Sequence, residues 1–72
     1  MTREIEIWDV YKHYKGGKYQ IVSVAKHTET GEDLVIYRNI KTFETWARPY
    51  DMFNSYVIVN GRRKERFTLI TK

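Results

Sequence analysis

Tyr19-Gln-Ile-Val-Ser-Val-Ala-Lys-His27, the polar segment Thr28-Glu-Thr-Gly-Glu-Asp33 and Leu34-Val-Ile-Tyr-Arg-Asn-Ile40 form the stretch whose reading decides the fold. Two runs rich in β-branched residues flank a turn whose glycine takes a positive φ at little cost, the sequence form of a β-hairpin. With the loop centred on Thr30-Gly31, Ala25 is predicted to face Ile36 and Val24 to face Tyr37. One face then carries Ile21, Ala25, Leu34, Ile36 and Ile40, the other Val22, Val24, Val35 and Tyr37. Neither face is purely polar, so a flat sheet with one solvated side does not fit. Small Ser23 and Ala25 in mid-strand suit a strand that bends to serve two sheets.

The flanking segments extend this pattern. Glu4-Ile-Glu-Ile-Trp8 alternates acid and apolar residues and predicts a short strand, and Gly16-Gly17 predicts a break after Tyr11–Lys15. Thr45-Trp-Ala-Arg48 reads as a strand ended by Pro49, which has no N–H to donate and fixes φ. In Pro49–Phe53 a single helical turn is expected to project Met52 and Phe53 inward as a plug. Tyr56-Val-Ile-Val59 enters Asn60-Gly61, the strongest short hairpin signal, and Phe67–Ile70 closes the chain as a strand. The expectation is one all-β domain over residues 1–72: a small antiparallel β-barrel or roll of about five or six short strands with one short helical turn.

Length and composition narrow the chemistry. The 72-residue chain has no cysteine, which removes disulfides, thiolate metal sites and cysteine nucleophiles together. A chain of this size buries only about 60% of its unfolded surface, so two Trp, six Tyr and three Phe are expected to build the core. Trp46 in particular is assigned to that core. No apolar run approaches a membrane span and the N-terminus is charged, so a soluble, cytoplasmic protein is expected. The net charge of +4 suits an anionic partner and simple solubility equally.

In order along the chain, Tyr11-x-His13-Tyr14-Lys15-Gly16, Ala25-x-His27-x-Glu29-Thr30, Val35-x-Tyr37-Arg38 and Trp46-x-Arg48-Pro49-x-x-Met52-Phe53 resemble a small bacterial family catalogued as domain of unknown function 1653. The likeness runs from Tyr11 to Phe53, with Phe67 similar to the family's closing aromatic, so the family-like core spans 11–67. The chain departs from the family's form at Phe43-Glu44, where more glycine is common, and in its extended N-terminus and Leu69-Ile70 tail. The resemblance implies an SH3-like barrel and no activity.

His13, His27 and Glu29 are the only set suggestive of metal or acid–base work, and only if the hairpin folds back over Tyr11–Lys15. They lack metal-ligand spacing, and structural hydrogen bonds near loop ends are the alternative. No nucleophile elbow and no phosphate-cradling glycine loop is present, so no enzyme, metal or cofactor is expected. Aromatic residues interleaved with cations are the better lead. Tyr11, His13, Tyr14, Lys15, His27, Glu29, Tyr37, Arg38 and Arg48 are the candidate surface for a protein or peptide partner of a monomeric binding module. The same surface with Arg62, Arg63 and Arg66 is the alternative for single-stranded nucleic acid. Against both stands a structural reading: the aromatics as core, Arg38 and Arg48 pairing with Glu29, Asp33 or Asp51, and the Arg62–Arg66 charges as a solvated edge.

Overall fold

The computed structural model describes residues 5–70. Seven short strands and one helical turn follow in the order β1 (Val10–His13), β2 (Gly16–Lys26), β3 (Asp33–Asn39), β4 (Thr45–Pro49), α1 (Tyr50–Phe53), β5 (Tyr56–Val59), β6 (Arg62–Glu65) and β7 (Phe67–Leu69). The chain is all-β, as its alternation predicts. Its ladders are antiparallel: a five-stranded sheet in the order β4-β3-β2-β1-β7, and the two-stranded hairpin β5-β6. No helix among the described residues is long and apolar enough to cross a membrane.

The central hairpin forms in a different register from the one expected. Ala25 pairs with Leu34 and Val24 with Val35, two residues off, because the loop closes between His27 N–H and Glu32 C=O at 2.8 Å and is centred on Glu29-Thr30 instead of Thr30-Gly31. Val22 is then an extra residue, a bulge between the pairs Ile21↔Tyr37 and Ser23↔Ile36. A bulge exchanges the faces of everything beyond it, so Ile21 joins Tyr37 and Val35 in the interior and not Ile36.

Gly16-Gly17 lies at a turn between strands, as glycine pairs read, but it does not end regular structure. The pair is the turn of a second hairpin, with Tyr11 opposite Tyr19 and Lys12 opposite Lys18. Gly17 sits at φ 29°, where a Cβ would lie 3.0 Å from the Tyr19 ring. The strand expected over Glu4–Trp8 is not formed by its described part, residues 5–8: Ile7-Trp8 is a turn with Trp8 at φ 78°. Asn60-Gly61 forms the expected turn, both residues left-handed at φ 52° and 76°, as a two-residue hairpin loop requires. Phe43, at φ 62°, takes a conformation that glycine adopts freely.

The core is Tyr11, Ile21, Val35, Tyr37, Phe53 and Phe67. Phe53 and Phe67 stack with ring centres 4.1 Å apart and planes 7° from parallel. Tyr11 and Tyr37 meet Phe53 edge-on at 5.1 and 5.4 Å. Pro49 ends β4 and leads into α1, as expected, but only Phe53 enters the interior. Met52 is exposed, since successive residues on a helix are turned by about 100° and cannot both face one core. Trp46 is the larger correction, because it is 52% exposed rather than core. It pairs with Tyr37 and shares its face, but β4 is an edge strand, so its ring extends past the rim of the packed interior.

These placements separate two truncations. Phe53→Ala should cost about 3–5 kcal/mol, enough to unfold much of a domain whose total stability is on the order of 5 kcal/mol. Trp46→Ala should change the denaturation midpoint little. Equal losses for the two variants would put Trp46 back in the core.

Candidate functional site

Where the core reaches the surface it opens into a cleft of about 240 Å³, lined by His13, Tyr19, Tyr37, Trp46, Arg48 and Phe67. Each lining residue follows from the fold. His13 ends β1 and pairs with Phe67 of β7, whose ring meets the imidazole edge-on at 4.9 Å. Tyr19 and Tyr37, on adjacent strands, pack edge-on at 5.4 Å. Trp46 and Arg48, two apart on β4, share a face. The Arg48 Nε donates to Tyr37 Oη at 3.2 Å, and its guanidinium lies 5.6 Å from the Phe67 ring centre.

The cleft is electropositive. No carboxylate lines it, and Arg48 pairs with none of Glu29, Asp33 and Asp51; Asp33 instead pairs with Lys26 at 2.8 Å. Arg66 is held nearby: its Nε donates to Ser55 Oγ at 3.0 Å, and its C=O accepts the Tyr14 N–H at 3.0 Å. His13 Nδ1 accepts the Lys15 N–H at 3.2 Å, which leaves the proton of the neutral ring on Nε2. Partial burial foremost, then the charges of Arg48, Arg66 and Lys15, hold the His13 pKa below the ordinary imidazole value of 6.5.

Of the residues expected to act together, His13, Tyr37 and Arg48 meet in the cleft, with Tyr14 and Lys15 beside His13: the Tyr14 ring is 4.6 Å from the imidazole and Lys15 Nζ 5.7 Å from the Tyr14 ring. Tyr11 is beneath, fully buried. His27 and Glu29 are elsewhere. His27 accepts the Glu29 and Thr30 N–H groups on its Nδ1 at 3.1 and 3.4 Å, a contact that shapes the hairpin loop. His13 and His27 stand at opposite ends of the eleven-residue β2, with roughly 30 Å of strand between them at about 3.3 Å per residue, so the two imidazoles do not converge. No group of three or more His, Asp or Glu suited to a metal occurs among the described residues.

Arg38 points to the opposite face of the sheet, where its Nη2 donates to Gln20 Oε1 at 3.3 Å. Arg62 and Arg63 lie on β6, with the Arg63 guanidinium 4.5 Å from the Tyr56 ring centre; of that basic run, Arg66 alone is among the cations acting on His13. Tyr19 and Phe67 are site residues that reading the sequence missed, and Trp46 is one that it assigned to the core. The signal for Tyr19 was present, since treating Gly16-Gly17 as a hairpin turn sets it opposite Tyr11.

The lowered pKa has a definite sign. Between 6.5 and the native value the unfolded chain binds the proton more readily, so stability is fully present above 6.5 and falls as the pH drops through that window. A proton-resonance titration of His13 should give a midpoint below the ordinary value, moving upward in Arg48→Ala. An unmoved midpoint would remove Arg48 as a cause.

Comparison with known proteins adds the family. No curated protein is significantly similar to the chain. Among solved structures, a DUF1653 protein from Bordetella bronchiseptica superposes with a TM-score of 0.83 at 24% identity, covering 99% of this chain and 94% of that one, and so shares the fold. Residues 9–69 match the family described as "Protein of unknown function (DUF1653)". With strand order, core rings and cleft all drawn from that matched span, the chain belongs to the DUF1653 family.

Proposed function

We propose that this domain is a non-enzymatic, monomeric binding module of the cytoplasm, whose cleft receives one large side chain of an extended peptide beside an acidic group. The observation that carries this reading is Arg48: a guanidinium fixed by Tyr37 Oη over the Phe67 ring, in a cleft without a carboxylate. Such a group is preorganised for a carboxylate, which it can meet with two parallel N–H donors. Beside it, half-exposed Trp46 and the rings of Tyr19 and Phe67 offer an apolar seat. A cleft of about 240 Å³ falls short of the roughly 300–1,000 Å³ typical of small-molecule sites, which favours a single anchoring side chain. No serine, threonine or cysteine lines it as a nucleophile.

Selection from a random peptide display library is the direct test. Selected peptides should carry an aromatic or large aliphatic residue near Asp or Glu, and shift the amide resonances of His13, Trp46 and Arg48. Arg48→Ala and Trp46→Ala should each weaken binding by about 2 kcal/mol, roughly 30-fold, as central anchors do, with folding retained. Failure to select any peptide whose binding depends on these two residues would end the reading.

A further inference from the structure

The face of the sheet turned away from the core carries a second concavity, of about 320 Å³, lined by Lys12, Lys18, Lys41, Asn39, Ile40 and the Gly16-Gly17 turn. Lys12 and Lys18 are direct cross-strand partners, an arrangement of like charges that is unfavourable unless something anionic lies between them. None of the three lysines is paired with a carboxylate among the described residues, and no acidic side chain lines the space. Asn39 Oδ1 is taken up by the Lys41 and Thr42 N–H groups at 2.8 and 3.1 Å, so its amide NH₂ remains to donate. Every polar side chain bordering this concavity can therefore offer a donor.

The charge continues along the same face. Arg38 lies there with its guanidinium 5.5 Å from the Phe43 ring centre, and Phe43 is 64% exposed. From β1 across β2 to the end of β3 the cations span about 10 Å, two inter-strand spacings, wider than one phosphate and suited to a chain of them. Cations in a row beside an exposed ring are the elements that hold single-stranded nucleic acid.

We propose that this face binds the backbone of single-stranded nucleic acid, with Lys12, Lys18 and Lys41 on phosphates and a base laid against Phe43 beside Arg38. The site is separate from the cleft, and neither depends on the other.

Titration with a uridine decamer, followed by amide shifts, tests it. The largest shifts should fall on Lys12, Gly17, Lys18, Ile40 and Lys41. Neutralising three phosphates at a slope of about −0.7 each on a log–log salt plot predicts roughly 20-fold weaker binding at 200 than at 50 mM salt. Lys18→Ala should reduce the slope by about 0.7. Phe43→Asn, which keeps a residue tolerant of positive φ, should weaken binding about tenfold through the lost stack. Pyrophosphate should compete poorly. Equal competition by pyrophosphate, shifts confined to His13, Trp46 and Arg48, or no salt-dependent shifts would each overturn the proposal. The first and last of these leave the peptide reading of the cleft standing, because the residues varied lie on the other face.

Discussion

The stacking of Phe53 on Phe67, with Tyr11 and Tyr37 closing on it, is the contact on which the rest of the structure depends. A small chain without cysteine has no covalent or metal staple, and a lone sheet leaves one face wet. The four rings come from β1, β3, α1 and β7, so one cluster gathers segments from nearly the whole described chain. Each buried ring contributes roughly 1.5–3 kcal/mol through area removed from water. Edge-on pairs add about 0.5–1.5 kcal/mol beyond that. The short turn after Pro49 matters because it carries Phe53 across the sheet, an approach that no strand of the ladder provides.

The cleft is the same cluster where it reaches the surface. Tyr37 and Phe67 are core residues on one side and cleft lining on the other. That continuity fixes the geometry of Arg48, which donates a hydrogen bond to the hydroxyl of Tyr37 and lies over the ring of Phe67. A guanidinium so held loses little freedom on meeting an acceptor, and such preorganisation favours binding. Trp46 completes the cleft because it belongs to an edge strand and lacks a neighbour to cover it.

Charge is distributed less evenly than a net +4 suggests. Glu29, Glu32 and Asp33 gather at the tip of the β2–β3 hairpin, where Lys26 pairs with Asp33 and Thr30 donates to Glu32. Their removal to one end leaves the two concavities basic. One combines Arg48 with aromatic walls, with the charge of Arg66 nearby, and the other combines three lysines with a glycine turn. The first is built for shape and a fixed bidentate donor, the second for point charges along a chain.

The sequence by itself determined the all-β class, the central hairpin, the Asn60-Gly61 turn, the stop at Pro49 and the reliance on rings, because these follow from local backbone preference and composition. The DUF1653 likeness was equally legible in short motifs. Only the tertiary structure decided the register and the Val22 bulge: a loop centre moved by one residue shifts every pair by two, the bulge then exchanges the strand's faces, and neither leaves a local trace. It also decided that Trp46 stands at the rim while Phe53 is buried, because position in the strand order sets exposure and hydrophobicity does not. The meeting of His13 with Arg48 and Arg66, and the separation of His13 from His27 along β2, arise from pairings between distant segments. Those pairings are selected by the packing of the whole core, which no single stretch encodes.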